Sequence, residues 1–284
     1  MTKIKIIGDS GKQPVETIKM WLEEALRKFN LLDQQVYLFF IENPEQLKEI
    51  LQRYTRIIER FSLRGRKLGA KMFFEHVLQT IGYIDESDRQ NGVPPIILIK
   101  KNAEIFEDDF LDEVAHVRED KNGWIKIELE AFELLFKDYK GIWDISTEWW
   151  LFRSLKDKIA DFFSSQTISQ YGLIKEVFKE RERKLNYWVK EHLPKRKGIL
   201  KGEDFDLGMT VAFWTTLPPS YPQKEDEENL EKIVINHISQ MGMEPKYRKI
   251  KAVVSQLESP PKVANIYKCG AQIIELAQDF LEKQ

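Results

Sequence analysis

The residues best suited to chemistry lie in the run Asp112-Glu113-Val114-Ala115-His116. On a helix, side chains four apart project together, so Asp112 and His116 share a face. Glu113 sits about 100° round from Asp112, between that face and the helix flank. Phe110, Leu111, Val114 and Val117 cover the opposite face and can dock on a sheet. A carboxylate and an imidazole at this spacing can hold a divalent metal, and a neighbouring Glu can serve as general base. Downstream, Asp157-Lys158-Ile159-Ala160-Asp161 places two more carboxylates at i, i+4, opposite the apolar group Leu155, Ile159, Phe162 and Phe163.

The other chemistry-bearing residues read as ordinary structure. His76, His192 and His237 lie at no metal-ligand spacing from one another or from His116. His76 follows Glu75 on an amphipathic stretch and reads as a satisfied or exposed side chain. Gly8-Asp9-Ser10-Gly11-Lys12 follows a strand, but a phosphate loop needs GxxxxGK[ST], and here Gln13 and Pro14 follow the lysine. A tight strand-to-helix turn accounts for both glycines. Arg53, Arg56 and Arg60 form a basic stripe that continues through Arg64, Arg66, Lys67 and Lys71. Lys195, Arg196, Lys197 and Lys201 form a second basic cluster. Against a balanced total charge these read as solvated faces and not as a nucleic-acid surface.

The two carboxylate-bearing helices resemble those of the gluzincin metallopeptidases, including their minimal single-domain forms. That family has an HExxH helix and, later, a glutamate helix of pattern ExxxD, often ExxAD. DEVAH at 112–116 stands where HExxH would, and DKIAD at 157–161 where ExxAD would. The likeness covers residues 66–165. It implies a zincin-like fold, with strand 96–100 at the cleft edge and a helix over 66–83 as backing. By the same resemblance Asp112, His116 and Asp157 would bind the metal. Glu113 would act as general base, and Asp161 would orient His116. The chain departs from the family in two ligands: Asp112 replaces a histidine and Asp157 a glutamate. The resulting set is harder and more anionic, and favours Fe²⁺, Mn²⁺ or Mg²⁺ more than the zinc set does. Glu148, in the first turn of the later helix, is a spare carboxylate outside the ExxxD spacing.

Those motifs need elements to hold them. Residues 3–7, 36–41 and 96–100 read as strands, and helices are expected over 15–29, 44–62 and 66–83. Trp124 to Leu129 reads either as a strand or as the entry to a helix over 128–138. Ser146 is placed to cap a helix over 147–165. Beyond it the chain reads as helices over 168–192, 207–217, 226–241, 246–257 and 262–283, with a Pro-rich break at 218–222. The fold class is therefore α+β, a small mixed sheet with packed helices, followed by an all-helical region. A composition shift near 166 divides a zincin-like domain, 1–165, from a helical accessory region, 166–284. Trp143, Trp149 and Trp150 are expected to anchor the one to the other.

The chain has 284 residues, with Lys+Arg 44 against Asp+Glu 46 and a net charge of −2. No global field draws it to nucleic acid or to an anionic membrane. No apolar run approaches the ~18 residues of a membrane span, and the N-terminus has no signal-peptide pattern. The single cysteine, Cys269, excludes a disulfide framework and reads as a reduced structural thiol. A cytoplasmic protein is expected. Two functions stay open. One is a metallopeptidase-like protein with a degenerate metal site holding Zn²⁺, Mn²⁺ or Fe²⁺, weakly active or inactive, acting on a peptide or protein. The other is a metal-free scaffold or binding module whose amphipathic helices only mimic the motif.

Overall fold

The computed structural model of the protein describes residues 3–56, 81–84, 88–143, 145–191, 201–219, 221 and 224–282. It is an α+β structure, with four strands in one mixed sheet and ten helices among the described residues. It divides into two compact units, Met1–Ile125 and Lys126–Gln284. The composition shift near 166 thus falls inside the second unit, within one long helix.

The first unit begins with β1 (Lys3–Ile7), α1 (Val15–Lys28), β2 (Gln35–Ile41) and α2 (Pro44–Tyr54). It continues through β3 (Ile81–Ile84) and β4 (Ile96–Lys100) to α3 (Glu107–Asn122). The strand order is β1-β2-β4-β3. β1, β2 and β4 run parallel, and β3 pairs antiparallel to β4, with Tyr83 opposite Ile97. Parallel strands buried on both faces should be continuously apolar. Phe39, Ile41, Ile96 and Leu98 meet Leu47, Ile50 and Leu51 of α2 in one core. Leu38, Phe40, Ile97 and Ile99, on the other face, are also buried. Asn43 caps α2 through its Oδ1, which accepts the Gln46 N–H at 2.9 Å, with Pro44 at the first helical position.

Three expectations change here. The strand 96–100 is not at the edge of the sheet: β4 lies between β2 and β3, because its run of isoleucines suits a site buried on both faces. The helix expected over 66–83 lies outside the described residues for most of its length, and 81–83 belong to β3. β-branched and aromatic residues in Ile81-Gly82-Tyr83-Ile84 fit a strand better than a helix end. The helix from 44 ends at Tyr54, and Thr55 bridges to Arg89.

The second unit comprises α4 (Trp124–Tyr139), which opens at the boundary, and α5 (Ile145–Gln170). Then follow α6 (Ile174–Glu191), α7 (Lys201–Thr215), α8 (Lys224–Gln240), α9 (Glu244–Val254) and α10 (Val263–Glu282). Trp124 is thus a helix entry and not a strand. α7 is central and packs against α5, α6, α8, α9 and α10. Its Phe205, Leu207, Met209, Val211, Ala212 and Phe213 are all buried, as a helix apolar on every side must be. The break between α5 and α6 falls at Gly172, whose φ of 81° is open to glycine at little cost. Trp143 is half-buried, while the side chains of Trp149 and Trp150 lie outside the described residues.

Candidate metal centre

α3 carries the first half of the motif. Its N-terminus is set by Asp109, whose carboxylate accepts the Phe106 N–H at 2.8 Å. Its C-terminus is set by Gly123 at φ 75°. Phe110, Leu111, Val114 and Val117 are buried, as the apolar face requires. Three acidic side chains on the same helix, Glu113, Glu119 and Asp120, are buried as well. Such burial is costly unless each carboxylate is hydrogen-bonded or paired, so the surroundings of α3 are polar by construction.

His116 is the centre of that region. Its Nδ1 lies 2.9 Å from Oε2 of Glu119, a residue with no exposed surface. A carboxylate can only accept, so Nδ1 carries the proton and Nε2 is the nitrogen left to ligate. The imidazole stacks on the Tyr83 ring, with centroids 6.0 Å apart and planes 14° from parallel. Tyr83 hydroxyl donates to Asp120, whose carboxylate also accepts Arg89 Nη2 at 2.7 Å. Arg89 Nη1 donates in turn to the Val93 carbonyl at 3.1 Å. Burial works to lower the His116 pKa. The Glu119 carboxylate, with Asp112 and Glu113 behind it, outweighs burial and holds the pKa well above the usual histidine value. The same anions that hold a proton there would hold a metal cation.

α5 carries the second half. Asp157 is 60 % exposed and pairs with Arg153 at 3.5 Å. Asp161, one turn on, is half-buried. Its backbone carbonyl accepts the hydroxyls of Ser164 and Ser165, each at 3.0 Å. Glu148 is buried, and its carboxylate accepts the Gly141 N–H, so it closes the turn before α5. His237 is half-buried on α8, and His76 and His192 lie outside the described residues, as do Arg60 to Lys71 and Lys195 to Lys197. In the Gly8–Lys12 turn, the Gly11 N–H donates to Asp9 Oδ1 at 3.0 Å and Lys101 pairs with Asp9 at 3.3 Å, a self-contained turn.

Glu119, Tyr83, Asp120 and Arg89 escape the sequence reading. Glu119 was open to it, since i, i+3 from His116 is a pairing distance on a helix. Tyr83 reaches α3 from β3, and Arg89 from the chain between β3 and β4, where it bridges to Thr55, a placement that local spacing does not encode.

Comparisons with protein-family models, with curated proteins and with solved structures found no match.

Proposed function

We propose that this chain is a metallopeptidase-like protein that binds one divalent cation and has weak or no peptidase activity. The observation that carries the reading is His116, its Nδ1 held by buried Glu119 so that Nε2 is the nitrogen left to ligate, with Asp112 one helical turn away. A carboxylate behind a ligating histidine is the usual means of setting tautomer and ring orientation at metal sites. Asp112 and His116 put a carboxylate and an imidazole on one face of α3, two ligands from a single helix.

A carboxylate beside an imidazole suits Mn²⁺, Fe²⁺ or Mg²⁺ and also accepts Zn²⁺. When bound, such an ion polarises carbonyl groups and acidifies water. Glu113, buried next to Asp112 on α3, is the group of this chain that would take up a proton. Replacing a histidine ligand by Asp112 adds negative charge, which weakens the ion as a Lewis acid. Low peptidase activity follows from that substitution.

Elemental analysis of protein purified without chelator, followed by calorimetric titration of the apoprotein with Mn²⁺ and Zn²⁺, tests the reading. One ion per chain is expected. Binding should be lost in His116→Ala and weakened at least about tenfold in Asp112→Asn. Metal-free protein that takes up neither ion would leave the scaffold reading in its place.

A further inference from the structure

The interior of the second unit holds an unusual amount of polar chemistry. Ser164, Ser165, Gln166, Thr167 and Ser169 are all buried, although they follow one another along α5. Helices of a helical bundle normally turn such residues outward. Facing them from α6 is Arg181, only 1 % exposed and among the largest fully buried side chains. One of its nitrogens, Nη2, donates to the Asp161 carbonyl at 3.2 Å and to the Ser165 hydroxyl. Its Nε and Nη1 have no acceptor among the described residues. A guanidinium carries one hydrogen on Nε and two on Nη1, so three charged donors stand open. Its neighbour Glu180 is paired with Lys184 instead. Gln166, with no exposed surface, follows Ser165 on α5, and neither its amide oxygen nor its amide nitrogen has a partner among the described residues.

An unbalanced buried guanidinium is strongly destabilising, because its lost hydration is returned by neither a counter-charge nor a full set of acceptors. An anion taken up from outside would supply both. We propose that Arg181, Ser165 and Gln166 form an internal binding site for a small oxyanion, with inorganic phosphate the best fit. The planar guanidinium matches the spacing of oxyanion oxygens. Gln166 separates the candidates, since it lacks both a donor and an acceptor partner. Hydrogen phosphate supplies acceptor oxygens and one hydroxyl, whereas sulfate supplies acceptors alone. Because the donors face the protein interior, entry requires local opening of α5 from α6. The anion should therefore exchange slowly and survive rapid desalting.

Thermal unfolding of the full chain in increasing inorganic phosphate, at ionic strength held constant with NaCl, tests the proposal. Once phosphate exceeds its dissociation constant, the wild-type Tm should rise by roughly 3–6 °C per tenfold increase. Sulfate should give a smaller rise. Arg181→Met should remove the phosphate response and, in phosphate-free buffer, melt no lower than wild type, because an apolar side chain of similar length replaces an unpaired charge. Gln166→Leu keeps the charge and serves if Arg181→Met does not fold; it should respond equally to phosphate and sulfate. A wild-type Tm indifferent to both anions, or a rise equal to that of Arg181→Met, would overturn the proposal and leave Arg181 solvated by internal water.

Discussion

At the scale of single residues, the candidate site depends on one hydrogen bond. Glu119 fixes which nitrogen of His116 carries the proton. Glu119→Gln keeps an acceptor at that place and should bind Mn²⁺ within a few-fold of wild type. Glu119→Leu should bind about 10–100-fold more weakly, which calorimetry would show, because the ring loses both tautomer and orientation. Loss of equal size in both variants would mean that charge and not orientation is what matters. Cys269 makes the opposite case, a reactive residue type with its chemistry suppressed. It is buried and free, and burial pushes its thiol up to about 12. Since the thiolate is the nucleophile, native protein should resist a disulfide reagent at pH 8 and react at once in guanidinium. The linkage has a definite sign. The unfolded thiol ionises from about pH 8.5 and the folded thiol only near 12. This group therefore takes stability away as pH rises between those values and leaves it unchanged below them. A stability curve measured from pH 7 to 10 in wild type and Cys269→Ala would show the difference.

At the scale of elements, the spacing rules read the helices well and the strands unevenly. α1, α8 and α10 lie within a few residues of the expected ranges, because each carries a long apolar face bounded by Pro, Gly or acidic residues. β3 was missed because four residues, Ile81-Gly82-Tyr83-Ile84, are too few to show a period. With it went the position of β4 in the sheet and the approach of Tyr83 to His116. The Asp112–His116 pair was legible, since it lies within one helix turn. The distinction between Asp157 and Asp161 was not, since both occupy the same helix face and only packing exposes the one and half-buries the other. Contact between helices can also hinge on a missing side chain. Gly270 of α10 lies against Leu135 of α4, and a Cβ there would run into Leu135 Cδ1. Leu135 is fully buried, so any shift of its methyl must displace packed neighbours. Gly270→Ala should therefore lower stability by about 1–3 kcal/mol despite alanine's better helix propensity. Adding Leu135→Ala should recover part of that loss, which chemical denaturation of the double variant would measure. Additive losses would show that the two positions do not share the space.

At the scale of the whole molecule, charge decides what the protein can meet. The sequence carries basic runs at 53–71 and 195–201, yet Lys+Arg 44 and Asp+Glu 46 leave a net charge of −2. No helix among the described residues is long and apolar enough to cross a membrane. Nucleic-acid affinity of the non-specific kind grows with the number of phosphates neutralised and is abolished by salt in proportion. Acidic residues elsewhere in the sequence offset these runs in total charge, so no net long-range field favours a polyanion. Retention on heparin or duplex DNA should therefore be lost at or below about 0.15 M salt, where the Debye length is about 8 Å. The sequence pI is about 6.2, so the small negative charge at neutral pH vanishes within roughly one pH unit. Self-repulsion is then at its weakest, and solubility should pass through a minimum near pH 6 and recover on either side. Turbidity of a concentrated sample between pH 5 and 8 would check this. A minimum displaced well above pH 7 would require extra positive charge in the folded protein, as a retained metal ion would supply, and dialysis against chelator should then move it back toward pH 6.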